Sequence, residues 1–224
     1  MINNLKLGVK IMKFAHGVVS TFICCGIMMA IGVALSLLAV PIGEVRTLPG
    51  GYFIMMIGLF LMQLTFSVNI ANMVQASPMK KRLQTSVPAT MSTLCMVIGY
   101  LLTVLLEGIV AYMRPNRIGL LCEQLIFTVA MMGIFALYSS ICYKYFFSAT
   151  IMFVLVFGGC YGYLMGGGMS INFLGNTWAT FVVTALVGLA VIPICGVLQY
   201  LLFLVVYKAP LSKRAQAASL RRQL

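Results

Sequence analysis

Six long apolar stretches constrain the fold of this chain more than any other feature. A transmembrane helix needs about 20 mostly apolar residues, and six segments reach roughly that length: 17–42, 51–74, 90–113, 118–143, 146–165 and 177–207. Only 8% of the residues are charged, against roughly 25% in a soluble domain. Such a chain cannot cover a water-exposed surface. We therefore predict an all-α polytopic membrane protein, one transmembrane domain over residues 1–224, and exclude soluble enzymes and nucleic-acid-binding domains.

The distribution of basic residues predicts the orientation in the bilayer. The chain has 15 Lys and Arg against three Glu and no Asp, a net charge of +12. With six spans, Arg46, Arg114 and Arg117 fall on one side and the other 12 basic residues on the opposite side. Basic loops stay cytoplasmic. Both termini are therefore predicted to be cytoplasmic, with a basic tail at residues 208–224.

The leader, residues 1–15, shows helical periodicity. Three lysines form a basic stripe, and apolar residues form a second stripe. The lysines are Lys6, Lys10 and Lys13. This pattern predicts an amphipathic helix in the membrane interface, with its lysines toward lipid phosphates. A plain basic flank of the first span is the open alternative.

The loop between the second and third spans carries a helix signal. Ser77 is a favourable N-cap and Pro78 fits the first helical position, while Val87-Pro88 is expected to end the helix. The predicted element contains Ser77, Pro78, Met79, Lys80, Lys81, Arg82 and Leu83. A capped, basic helix on the cytoplasmic side favours a docking site for a partner, with a simple basic loop as the alternative.

A glycine run ends the fifth span. Gly158, Gly162 and Gly166 are spaced by four residues, which puts them on one helix face and permits close backbone approach. The uncharged segment that follows is expected to be a re-entrant outer gate, and an ordinary loop is the alternative. Its candidate residues are Gly167, Gly168, Asn172 and Asn176.

Two of the three acidic residues lie inside spans. Glu107 is near the end of the third span and Glu123 near the start of the fourth, so both are expected at similar depth. Intramembrane acids are costly and mark candidate functional sites. An ion pair with Arg114 or Arg117 is one interpretation, and a direct role with substrate or protons is the other.

No enzymatic motif is present. Without Asp a Ser-His-Asp triad is impossible, the only histidine is His16, and no G-x-x-x-x-G-K-[ST] phosphate-binding loop occurs. The seven cysteines are scattered and lack metal-site spacing. We therefore predict no catalytic residues, no metal site and no cofactor in this chain.

Taken in order, these pieces resemble the permease subunit of short six-helix ATP-binding-cassette exporters, the type V transmembrane fold. The resemblance implies that residues 6–14 and the helix at 77–86 contact a separate ATPase, which binds ATP and Mg. It also implies that residues 166–177 dip into the membrane from outside. A second permease chain, the lipid bilayer and a bacterial cell membrane location complete the expectation. Substrates of such exporters are amphipathic peptides, toxins, antibiotics or lipid-like molecules.

Two other functions remain open at the level of sequence. One is the substrate-capture subunit of a vitamin or ion uptake system, which would also have basic cytoplasmic loops. The other is a non-transporting membrane immunity or sensor protein. The feature that separates the exporter from both is the capped basic helix between the second and third spans.

Overall fold

The computed structural model describes residues 2–12, 18–38, 54, 57, 77–142, 144–145, 151–152, 154–156, 158–159 and 175–209. Within these residues the chain is helical and contains no strand. The elements are α1 (Ile2–Met12), α2 (Val18–Leu38), α3 (Lys80–Gln84), α4 (Ser86–Met113), a 3₁₀ turn (Pro115–Arg117), α5 (Ile118–Cys142) and α6 (Trp178–Tyr207).

Four segments of the described chain are long and apolar enough to cross a bilayer. They are Val18–Ser36, Lys80–Met113, Pro115–Cys142 and Trp178–Tyr207. They correspond to the first, third, fourth and sixth predicted spans. Of the second predicted span, 51–74, the structure describes only residues 54 and 57, and of the fifth, 146–165, seven residues: 151–152, 154–156 and 158–159. The all-helical fold is thus confirmed for the described residues, and their four candidate membrane-spanning helices are compatible with a multi-pass membrane protein.

Local sequence explains where these helices end. Pro115 stops α4, since the residue before a proline avoids helical geometry, and Arg114 is extended there with φ −140° and ψ 76°. The N-cap of α6 is Thr177, whose Oγ1 accepts a hydrogen bond from the Thr180 backbone N–H at 3.3 Å. Such a cap satisfies one of the free amides of a first helical turn.

Two contacts fix the direction of α6 relative to α5. At the start of both helices, the Gly119 backbone N–H donates to Asn176 Oδ1 at 2.9 Å. At their other ends, Lys144 Nζ donates to the Tyr207 carbonyl at 2.5 Å. The two helices therefore run parallel, and α4 runs antiparallel to both. We call the level of the α4–α5 turn the hairpin end and the level of α3 and Lys144 the basic end.

The core lies between α4, α5 and α6. Residues from all three helices are almost fully buried there: Tyr100, Leu125, Met131, Met132, Phe135, Ile192 and Phe203. The opposite face of α6 is exposed and apolar, with Val183 at 59% and Leu186 at 60% exposure. In water this face would be a large apolar patch, whereas lipid is its natural solvent.

Two glycines let α6 approach α4 closely. A Cβ added at Gly188 would overlap the Tyr100 hydroxyl and lie 2.5 Å from its Cζ. A Cβ at Gly196 would overlap Thr93 Oγ1 and lie 2.8 Å from its Cγ2. The two glycines are eight residues apart and so share a helix face. This is the small-residue packing expected between membrane helices, at positions that the sequence analysis did not select.

The helix predicted at residues 77–86 has different boundaries in the structure. It begins at Lys80 and ends at Gln84, and Thr85 separates it from α4. Ser77 Oγ accepts from the Met79 backbone N–H at 3.2 Å in a turn before the helix, so Ser77 is not its N-cap. Pro88, expected to stop the helix, lies in the first turn of α4, where a missing N–H removes no helical hydrogen bond.

The α4–α6 contact predicts a specific steric conflict. Gly196→Ala should destabilise the chain in detergent by about 1–3 kcal/mol, the usual cost of overpacking. Adding Thr93→Ala should recover most of this loss, because the nearest atoms belong to the Thr93 side chain. Equilibrium unfolding followed by helical circular dichroism measures both effects.

Gly26→Ala is the matched control, since no described atom lies within 4 Å of a Cβ built at Gly26. Alanine has the higher helix propensity, so this variant should be neutral or slightly stabilised. Equal free energies of unfolding for Gly196→Ala and Gly26→Ala would contradict the close contact between α4 and α6.

Candidate functional site

At the basic end, α1 is joined to α3 and α4. Arg82 Nε donates to Asn4 Oδ1 at 2.8 Å. Four residues along α1, Gly8 is buried against Met91 of α4, and a Cβ there would lie 2.9 Å from the Met91 Cγ and Sδ. The N-terminal helix is therefore docked across the α3–α4 junction. We call α1 together with α3 the basic platform.

The platform turns its basic residues outward. Lys6, Lys10, Lys81 and Arg82 are exposed and Lys80 is half-buried. Leu83 is buried at 7% exposure and holds α3 against the bundle. Pro78 and Met79 are exposed, whereas Ser77 is half-buried. Two groups that the sequence analysis treated separately, the leader lysines and the loop cluster, thus share one surface. Lys13 lies outside the described residues.

Lys144 fastens the end of α6 close to this platform. Its side chain is 4% exposed. Nζ donates to the carbonyl oxygens of Tyr207 and Ala209 and lies 5.6 Å from the centre of the Tyr207 ring. A cation at a helix C-terminus satisfies free carbonyls and interacts favourably with the helix dipole. Burial, together with the nearby charge of Lys80, lowers the pKa of Lys144.

In the sequence, Lys144 is recognisable only as one of the basic residues that predict the orientation. A lone lysine in a short loop gives no sign of which carbonyls it contacts. Its partners lie 63 and 65 residues further along the chain. We call the hydrogen bonds of Lys144 to the Tyr207 and Ala209 carbonyls the Lys144 clamp. It forms because α5 and α6 pack in parallel.

The two intramembrane acids differ in their surroundings. Glu123 is half-buried, whereas Glu107 is 3% exposed. Glu107 lies six residues before the end of α4 and Glu123 five residues after the start of α5, so the hairpin brings the two backbones to a similar level. Neither Glu107 carboxylate oxygen has a hydrogen-bond partner within the described part of the chain. The predicted pairing with Arg114 or Arg117 is therefore not formed at Glu107.

The candidate gate is described only at its edges. Asn176 anchors the start of α6 to α5 through the Gly119 N–H, which is a free amide in the first turn of α5. Gly158 is exposed, and no described atom lies within 4 Å of a Cβ built there. The packing role expected for Gly158 thus has no contact among the described residues. The remaining candidates, Gly162, Gly166, Gly167, Gly168 and Asn172, lie outside them.

Comparison with protein-family models, with curated proteins and with solved structures gave no match to this chain.

The Lys144 clamp predicts a local loss of order. Lys144→Met should speed amide hydrogen exchange at the last turn of α6, residues 203–208, because two carbonyls lose a charged donor. Hydrogen bonds to charged groups contribute about 1.5–3 kcal/mol each, so protection there should fall at least tenfold. Mass spectrometry of the full chain in detergent measures the exchange.

Lys208→Met is the matched control. It removes the same charge at the C-terminal end of α6, but from an exposed side chain. It should leave the exchange of residues 203–207 near the starting value. The clamp is wrong if both variants exchange alike.

Proposed function

We propose that this chain is the permease subunit of an ATP-driven exporter and works with a separate ATPase subunit. The observation that carries the proposal is the basic platform, in which the N-terminal helix and the short helix α3 form one joined surface. The platform would receive the ATPase, and the membrane helices would form the path for an amphipathic peptide, toxin, antibiotic or lipid-like molecule.

The construction of the platform supports docking better than a simple connector. A connector needs only a few polar residues, whereas α3 is held by Leu83 and tied to Asn4 through Arg82. The tie fixes the position of the exposed lysines relative to α4. An acidic groove on a partner would meet these charges, and such complementarity sets orientation and association rate.

The directions of the described helices support six spans. α5 ends at the basic end and α6 starts at the hairpin end, so the chain has to return between them. In lipid that return requires a helix, which favours the predicted fifth span at 146–165. The same argument applies between α2 and α3. α1 docks at the basic end, and α2 follows it and packs against α4. This favours the second span at 51–74.

The exposed apolar faces support assembly in the bilayer. α2 has few buried side chains, and α6 is exposed along one side. We assign these faces to lipid and to a second permease chain, since transport through one six-helix chain leaves little room for a path. A bacterial cell membrane with both termini in the cytoplasm fits the positive-inside distribution. ATP and Mg belong to the partner ATPase, because this chain has no phosphate-binding loop.

The docking role predicts a charge-reversal effect. Changing Lys80, Lys81 and Arg82 together to Glu should lower co-purification of a separate ATPase subunit expressed with this chain, because the new Glu side chains would then face the acidic groove proposed for the ATPase. We expect at least a tenfold loss of the ATPase recovered per permease. ATPase activity stimulated by the permease should fall in parallel.

A charge-matched control replaces Lys208, Lys213 and Arg214 by Glu. It makes the same change in net charge on the same predicted side but leaves the residues of α1 and α3 unchanged. Insertion and topology are checked in each sample, because basic residues also set orientation. Full ATPase binding by the correctly inserted platform variant would exclude the coupling role.

The six-span topology makes a second, independent prediction. Single cysteines at Tyr145 and Gly175, both exposed positions, are placed in a chain without its native cysteines. In whole cells an impermeant thiol reagent should label Gly175→Cys but label Tyr145→Cys only after permeabilisation. Labelling of both from one side would mean that the chain does not cross between them.

A further inference from the structure

Glu107 has an unusual position for a carboxyl group. It lies in the α4 span, six residues before Met113, which corresponds to about 9 Å from the hairpin end at 1.5 Å per residue. The side chain is 3% exposed, and both carboxylate oxygens lack a hydrogen-bond partner in the described structure. Buried charges are normally paired or hydrogen-bonded, so this group needs an explanation.

The hydroxyl groups of this region offer oxygen lone pairs but no free protons. Tyr100 and Thr103 lie on the same face of α4 as Glu107. The Tyr100 hydroxyl donates to the Ala185 carbonyl at 3.2 Å, and Thr103 Oγ1 donates to the Gly99 carbonyl at 3.0 Å. Across on α6, Thr184 Oγ1 donates to the Thr180 carbonyl at 2.8 Å. A hydroxyl has one proton, and each of these is already used.

Among the described residues, the charged and titratable neighbours of Glu107 do not supply a counter-charge inside the bundle. α5 contributes Cys122 and the acidic Glu123 at this depth, and α4 contributes Tyr100. The neighbouring part of α6 contributes the uncharged Phe181 and Thr184, and α2 has no charged residue. The cations of this half, Arg114 and Arg117, flank the hairpin turn, and neither is hydrogen-bonded to Glu107.

These surroundings suit a carboxylic acid better than a carboxylate. Transferring an unpaired carboxylate into a low-dielectric interior carries a large desolvation penalty. A neutral acid avoids that penalty, because it brings no charge into the interior. Ala111 and Cys122, both at 0% exposure, show how tightly this region is packed. A proton fits here, whereas a larger cation would require the helices to separate.

We propose that Glu107 is a proton-binding site of the helix bundle. The carboxyl group holds its proton while α4, α5 and α6 are closed at the hairpin end. When the helices part and water enters, the O–H bond breaks, the proton passes to water and a hydrated carboxylate remains. Proton uptake therefore favours the closed bundle, and rising pH favours opening. This inference does not depend on the proposed ATPase partner.

Because the chain has so few acidic residues, the protonation state of Glu107 can be measured directly. The chain has three Glu and no Asp, so labelling glutamate at the side-chain carboxyl carbon yields three signals. In the full-length chain in bilayers at neutral pH, solid-state NMR should show one signal at the position of a protonated acid. It should vanish in Glu107→Gln and persist in Glu123→Gln, the matched control one helix away. No protonated signal at neutral pH, or one that survives Glu107→Gln, would overturn the proposal.

Cys122 provides a second readout, for opening. It is fully buried and lies four residues into α5, at a level similar to that of Glu107 six residues before the end of α4. With the other six cysteines replaced, its rate of reaction with a small thiol reagent is measured against pH in two chains, one that keeps Glu107 and one that carries Glu107→Gln. Dividing the first rate by the second cancels the ordinary titration of the thiol. The ratio should rise about tenfold per pH unit as long as most Glu107 carboxyl groups in the closed bundle are protonated, because opening then releases one proton.

The direction of this change is diagnostic. A nearby carboxylate by itself would slow attack by the thiolate, because the two negative charges repel. A rising ratio therefore reports exposure of Cys122 and supports coupling between proton release and opening. A ratio that is flat or falling with pH would show that Glu107 does not control access to the bundle.

Discussion

The close approach of α4 and α6 is the contact on which the described bundle depends. Lipid tails are as apolar as the helix surfaces, so helices in a membrane associate through packing and hydrogen bonds rather than through the hydrophobic effect. Gly188 and Gly196 bring the α6 backbone against Tyr100 and Thr93. At that distance the Tyr100 hydroxyl reaches the Ala185 carbonyl. A larger residue at Gly188 would push the helices apart and also take away the acceptor that a buried tyrosine needs.

The two ends of this contact are held by different chemistry. At the basic end, the Lys144 ammonium holds the last carbonyls of α6, and Arg82 ties α1 to α3. At the hairpin end, α6 is attached to α5 through the neutral Asn176 hydrogen bond. Hydrogen bonds of a charged donor are about twice as strong as neutral ones. Within the described residues the hairpin end is therefore the easier end to separate, and Glu107 lies beside it.

The sequence predicted the spans well and the contacts between them poorly. Apolar runs of about 20 residues have to be helices in lipid, because no other open structure satisfies the backbone there. This argument located α2, α4, α5 and α6 to within a few residues. It missed the start of α4, since a proline in the first turn of a helix looks the same in sequence as one that ends a helix. The facing of Gly188 toward Tyr100, or of Lys144 toward Tyr207, depends on how each helix is rotated. Helices that are apolar all round give no periodic signal for that rotation.

One continuous helix joins the basic platform to Glu107. α4 runs from Ser86 to Met113, about 42 Å at 1.5 Å per residue, and only Thr85 separates it from α3. The Thr85 and Ser86 hydroxyls donate to the carbonyls of Lys81 and Arg82, and these hydrogen bonds hold α3 against the start of α4. Within α4, the Thr90 hydroxyl donates to the Ser86 carbonyl. A partner that shifts α3 would therefore also shift α4, and with it the contact at Gly196 and Gly188. A rotation of α4 would move Glu107 relative to α5 and α6. The platform and the buried carboxyl thus act on the same rigid element. Binding of a partner at the basic end and binding of a proton near the hairpin end would both bias the same equilibrium, in which α4 and α6 are either packed together or separated.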